Sequence, residues 1–163
     1  MSARTDDPTS RLFCSDHVNQ PYPRVRDAIL ANADGVFRDA TAVAAAHTAT
    51  LHLRVGGISI ATKVVGVHRD DENDRPATTL MLAWKAVHRT PLFPSITASL
   101  AIFALSPTVT QLELRGIYQP PVGKHGEAHD AAAGHRAAEA SVARFLEEVA
   151  GWLRVELAPA IVT

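Results

Sequence analysis

The sequence predicts a single α+β domain: a curved antiparallel sheet of about six or seven strands wrapped around one long C-terminal helix, with a short helix after the first strand. Three observations predict it. The stretch from Gly126 to Leu157 carries Val142, Phe145, Leu146, Val149, Trp152 and Leu153 at helical spacing, with Arg144, Glu147, Glu148 and Arg154 on the other side. The ~70 residues before it are almost purely β-patterned, and their short loops require consecutive strands to pair as hairpins. Such a sheet must cover one apolar face, and the last helix is the large element available to do so.

Taken in order, residues 1–10 are polar, carry Pro8, and read as a mobile tail ahead of a domain spanning 11–157. Arg11 to Asn19 is a first strand, broken by Pro21-Tyr22-Pro23. Arg24 to Ala31 is a short helix burying Val25, Ala28 and Ile29; Pro23 suits its first turn, and Asn32-Ala33-Asp34-Gly35 ends it. Residues 36–47 are Ala-rich, which permits a helix, while Thr41 and Val43 favour extended chain. From Thr48 the pattern is that of a strand, with Leu51, Leu53 and Val55 alternating with His52 and Arg54. Gly56-Gly57 is a hairpin turn, and Ile58 to Val67 returns from it.

Arg69 to Arg75 is a charged loop closed by Pro76. Thr79 to His88 is a strand with Leu80, Leu82 and Trp84 on one side and Met81, Lys85 and Val87 on the other. After the turn of Arg89 to Pro94, the nearly continuous apolar run from Ile96 to Leu105 reads as a central strand. Ser106-Pro107 turns the chain. In Val109 to Tyr118, Leu112, Leu114 and Tyr118 face one way, and Gln111, Glu113 and Arg115 the other. Residues 158–163 form a C-terminal tail.

Bulk properties exclude several classes. A net charge of −1, with 16 basic residues and no two adjacent, provides no field for nucleic acid or an anionic membrane. One cysteine, Cys14, rules out an internal disulfide and fits a reducing, cytoplasmic setting. No apolar run approaches the ~18 residues that a membrane span requires, so stable membrane insertion is not expected. The first residues lack the apolar core of a secretion signal.

Several segments resemble a known superfamily. Pro21-Tyr22-Pro23-Arg24-Val25-Arg26-Asp27-Ala28 follows the first strand as in the strand-to-helix passage of the helix-grip, START-like (SRPBCC) proteins, which include lipid-transfer domains, polyketide cyclases and pollen-allergen-type carriers. Gly56-Gly57, Thr110-Gln111-Leu112-Glu113-Leu114 and Ala140-Ser141-Val142-Ala143-Arg144-Phe145-Leu146 are similar to its hairpin, last strand and helix. Tyr118-Gln119-Pro120-Pro121-Val122-Gly123 resembles the strand-to-helix elbow of its bacterial members. Many members carry a tryptophan-containing loop after the first helix; here Asn32 to Phe37 has none. The resemblance implies a cavity between sheet and long helix that holds an apolar or amphipathic small molecule. Members range from inert carriers to cyclases and dehydratases.

No catalytic motif stands out. His125 and His129 stand four apart, yet Asp130 and His135 do not complete a ligand set on one helix face, so no metal is assigned. His17, His52 and His88 lie on strands, where a histidine facing a cavity can act as acid or base near neutral pH. Nothing adjacent in sequence activates Cys14. Gly56-Gly57 lacks the following Lys-Ser/Thr of a phosphate loop, and no other cofactor signature is present. Arg54, Lys85 and Arg115 stand among apolar strand neighbours, with alternation turning Arg54 and Arg115 to solvent.

The clue that remains is steric. Around Ala128, Ala131, Ala132, Ala133 and Gly134 the last helix loses its large apolar residues, while Trp84, Leu112, Leu114 and Tyr118 are large. Two such layers cannot be both evenly spaced and close-packed, so a hollow is expected there. The ligand-binding residues expected are Leu80, Leu82, Trp84, Leu112, Leu114, Tyr118, Ala131 and Gly134, although Trp84 and Tyr118 fit a filled core equally well. The leading expectation is a non-enzymatic carrier of a hydrophobic small molecule, with no cofactor, as a monomer or homodimer. The alternatives are a cyclase or dehydratase using His17, His88 or Tyr118, and a homodimeric module that pairs through the outer sheet face.

Overall fold

The computed structural model describes residues 11–50, 58–70, 75–86, 95–119 and 128–159. The elements are β1 (Arg11–Val18), α1 (Tyr22–Thr50), β2 (Ile58–Asp70), β3 (Arg75–Ala86), β4 (Ser95–Ser106), β5 (Val109–Gln119) and α2 (Ala128–Glu156). The strands form one antiparallel sheet in the order β1-β5-β4-β3-β2. The apolar run of β4 is explained by its central place. Register shifts between Val64 and Gly66 and between Ala104 and Ser106 mark bulges, which increase local twist and bend a sheet. The described residues hold five strands; the Leu51–Val55 alternation and the Gly56-Gly57 turn lie outside them, as do residues 1–10, 71–74 and 87–94.

Alternation along the strands separates the two faces cleanly. Leu80, Leu82 and Trp84 on β3, Ala98, Leu100 and Ile102 on β4, and Leu112, Leu114 and Tyr118 on β5 are all buried. From α2, Val142, Phe145, Leu146, Val149, Ala150 and Leu153 are buried against them, and the helix runs unbroken through Gly134. At about 1.5 Å per residue its 29 residues span ~44 Å. Trp152 sits only half-buried at the edge of this stripe.

The expected short helix ends in a kink at Asn32, and a second helix, left open by the sequence, follows it to Thr50; together they make up the 29 residues of α1. Only Asn32 leaves helical geometry, at φ −145° and ψ 35°. Its side chain folds back over Gly35, where Oδ1 lies 2.6 Å from the position a Cβ would take, so a side chain there would displace the Asn32 amide. Beyond the bend, Val36, Phe37, Ala40, Thr41 and Ala44 recur at helical spacing and are all buried. That burial outweighs the extended preference of Thr41 and Val43, since tertiary packing routinely overrides propensity. Thr48 to Thr50, expected to open a strand, therefore close α1. The charged loop is also shorter than expected, because Asp70 pairs with Arg75 and Arg69 with Pro76.

Two helices, not one, thus cover the inner face. α2 approaches α1 and β1 most closely. Gln20 ties the β1–α1 corner down: its carbonyl accepts from Thr110 Oγ1 at 2.7 Å, and its Nε2 donates to the Leu157 carbonyl at 3.0 Å. Arg154 closes the same end by donating to Asp16 Oδ1 at 2.9 Å and to the His17 carbonyl at 2.8 Å.

Candidate functional site

Register arranges the inner face in rows across the sheet. Cys14, Leu114, Leu100 and Leu80 form one, and Asp16, Leu112, Ile102 and Thr78 the next. On the other side of the first row lies Leu12, Gly116, Ala98 and Leu82, and then Tyr118, Ile96 and Trp84. The six sheet residues expected to line a site, Leu80, Leu82, Trp84, Leu112, Leu114 and Tyr118, therefore share one buried face. Ala131 and Gly134 lie within α2, in the turn just before His135.

The row between the two larger ones is notable for its small centre. Gly116 and Ala98 place no more than one methyl group between Leu114–Leu100 and Tyr118–Ile96. A Cβ at Gly116 would stand 3.1 Å from both Ala98 Cβ and the Thr97 carbonyl oxygen, a tight fit that the close approach of β5 and β4 imposes. Of the four rows, this one has the smallest side chains at its centre.

Trp84 has more partners than the sequence suggested. Its ring meets Phe145 edge-on at 5.1 Å and 81°, and Phe145 meets Phe37 at 5.7 Å and 51°. Its Nε1–H donates to Thr41 Oγ1 at 3.1 Å. β3, α1 and α2 are joined at this cluster. Thr41, Phe37 and Phe145 form the wall beside Trp84; reading 36–44 as helix would have brought Phe37 and Thr41 into view.

Polar chemistry on the buried face is sparse. The buried polar side chains among the described residues are Thr41, Thr78 and Thr110, and each is paired: with Trp84, with the Tyr22 hydroxyl at 2.6 Å, and with the Gln20 carbonyl. Burial raises the Tyr118 phenol above its ordinary pKa, so it stays protonated at neutral pH. His135 of α2 meets the Tyr118 ring edge-on at 6.3 Å. Its Nε2 lies 3.3 Å from the Arg11 carbonyl and its Nδ1 3.7 Å from Glu139 Oε1. Sequence reasoning considered His135 only as a metal ligand; the angle at which α2 crosses β5 brings it to Tyr118.

Other candidates separate from this face. His17 is exposed, on the outward side of β1, which removes it as a cavity acid or base. Arg115 is also outward, within 3.2 Å of Glu113. Cys14 points inward, and its thiol reaches the Val142 carbonyl at 3.6 Å. Burial, then the nearby Asp16 and Glu147 carboxylates, push its pKa up to about 11, so it is a neutral thiol at physiological pH. Arg54, His52, His88 and His125 lie outside the described residues, while His129 lies in α2 and Lys85 in β3, opposite Ser59. No group of three or more metal-binding side chains occurs among the described residues. No helix among them is long and apolar enough to cross a membrane.

No family model and no curated protein matches the sequence. Solved structures do match it. The Zhui aromatase/cyclase from Streptomyces sp. R1128 is 14% identical, covers 93% of this chain and 98% of its own, and has a TM-score of 0.52. A START superfamily protein from Mycobacterium smegmatis is 8% identical over 90% of this chain and 99% of its own, with a TM-score of 0.39. The di-domain aromatase/cyclase StfQ from the steffimycin biosynthetic pathway is 14% identical over 89% of this chain and 45% of its own, with a TM-score of 0.31.

Proposed function

The fold is that of the START-like, helix-grip superfamily, and we propose that this chain uses it to bind a hydrophobic or amphipathic small molecule, lipid- or polyketide-like, between the inner sheet face and α2. The observation that carries this reading is the row of Gly116 and Ala98 set between larger rows. Small side chains at the sheet's centre and the alanine- and glycine-rich front half of α2 together favour space between the two layers. Its surroundings are apolar, and the three buried threonines are already paired. A carrier needs such a lining and at most one polar anchor. Tyr118, a protonated phenol at neutral pH, is that anchor, donating to a ligand oxygen. The protein acts in a reducing, cytoplasmic setting, which suits a lone thiol.

A second reading rests on the Tyr118–His135 contact. A protonated phenol beside an imidazole is the minimum for acid–base work on an enolisable ketone, as in an aromatase/cyclase. In this reading His135 takes the α-proton of the ketone while Tyr118 gives its phenolic proton to the carbonyl oxygen, forming the enol, and the reverse transfers restore both groups.

Native mass spectrometry of protein purified without detergent tests the first reading. A bound species of constant mass, released on unfolding, is the expected result. Bare protein that also fails to take up an added fatty acid or flavonoid would overturn it. Turnover of a poly-β-ketone abolished by Tyr118→Phe would give the second reading priority.

A further inference from the structure

The outward face of the sheet carries a second recess, unrelated to the helices. Register sets its outward residues in two adjacent rows, Phe13, Arg115, Ser99 and Met81, and Arg11, Ile117, Thr97 and Ala83. Short side chains, Thr97 and Ser99, stand on β4. Tall ones stand on either side: Ile117 and Arg115 on β5, with Phe13 beyond them, and Met81 on β3. The outcome is a trough of about 430 Å³ running along β4.

Its lining departs from the pattern of a solvated sheet face, where outward residues are polar. Phe13 is 58% exposed, Ile117 51% and Met81 40%. Further along β1 and β5 the outward residues are Ser15, His17, Gln111 and Glu113. The lining includes Arg11 and Arg115 and no carboxylate. The Arg115 guanidinium lies over the Phe13 ring at 5.3 Å. Its bond to Glu113 is 3.2 Å long, with the Arg115 side chain 69% exposed and that of Glu113 21%.

Size and charge together select the occupant. Three part-exposed side chains offer on the order of a few hundred Å², short of the ~800 Å² per partner that a stable protein pair buries. A trough of 430 Å³ falls instead within the ~300–1,000 Å³ of small-molecule sites. We propose that this trough is a binding site for a small organic anion with a flat apolar body, such as an aromatic carboxylate. Arg115 Nε and Nη2 already donate to Glu113 Oε2 at 3.4 and 3.2 Å, so the carboxylate takes the Nη1/Nη2 end of the guanidinium. The ring lies between Met81 and Ile117 over Thr97 and Ser99. No helix residue lines this site, while Leu12, Ala98 and Gly116 of the inner rows reach its floor.

The chain contains only two methionines, Met1 and Met81, so selective ¹³C-methyl labelling gives a direct reporter on the trough wall. Titration with 2-naphthoate is expected to shift the Met81 methyl resonance saturably, with Met81→Leu assigning the signal. Arg115→Gln should weaken binding about tenfold, as loss of a charge-assisted pair implies, and the neutral 2-naphthylmethanol should bind weakly. Absence of a saturable shift, or equal affinity in Arg115→Gln, would overturn the proposal. A Met81 shift on dilution alone would replace it with self-association through this face.

Discussion

Replacing Phe145 with alanine removes the ring that joins three elements. Phe145 is 1% exposed and lies between Trp84 of β3 and Phe37 of α1, at 5.1 and 5.7 Å. Truncating a buried phenylalanine costs ~3–5 kcal/mol, from lost transfer energy and the cavity left behind. The two aromatic pairs, each ~0.5–1.5 kcal/mol, place this site in the upper part of that range. Against a total stability of ~5–15 kcal/mol, the variant folds but with little reserve. For a chain of this length the melting temperature should fall by roughly 6–20 °C. Urea unfolding followed by far-ultraviolet circular dichroism measures the loss directly, with the slope in urea unchanged if the unfolded states match. Val155→Ala, at a residue 79% exposed, serves as a control and should shift stability by less than about 0.5 kcal/mol. A loss below about 1 kcal/mol at Phe145 would refute the three-way packing.

Thr41→Val leaves the buried Trp84 Nε1–H without its acceptor and should cost ~1–3 kcal/mol, more than the methyl-for-hydroxyl exchange would suggest, as read from the same urea melts. Cys14 should resist iodoacetamide at pH 8, with labelling rising about tenfold per pH unit until near pH 11. Because its folded pKa of about 11 lies above the ordinary 9.0, the folded state holds the proton longer; stability should be intact below pH 9, fall between pH 9 and 11, and fall less steeply in Cys14→Ala. Ala98→Leu distinguishes a hollow from a filled core: with space above the Gly116–Ala98 row the melting temperature should barely change, whereas overpacking would cost ~1–3 kcal/mol.

What the sequence made legible follows from how each feature is encoded. β5 and the back half of α2 could be read directly, since Leu112, Leu114 and Tyr118 alternate and Val142 to Leu153 keep a helical stripe. The second half of α1 was obscured by one residue. Asn32 carries the signal of a helix end, and a kink stands there; whether a second helix follows depends on what Val36 and Phe37 bury against, which is tertiary information. The direction of Trp84 was legible, but its contact with Phe145 and Thr41 was not, because it requires both helices at once. The Tyr118–His135 contact depends on the crossing angle of α2. The outer trough depends on the registers of β1 with β5, β5 with β4 and β4 with β3, and no single strand's pattern contains them.

The central claim, a hydrophobic ligand held against the inner sheet face, is tested most directly through Trp84. The chain has two tryptophans, so Trp152→Phe leaves Trp84 as the sole indole, on the inner face beside Tyr118 and Ile96. Titrating this protein with cis-parinaric acid should quench Trp84 saturably at one ligand per chain, and Ala98→Leu should weaken the effect about tenfold, a change of ~1.4 kcal/mol. Trp84 emission that does not change at any ligand concentration, or quenching that rises linearly without saturation and is indifferent to Ala98→Leu, would contradict the account.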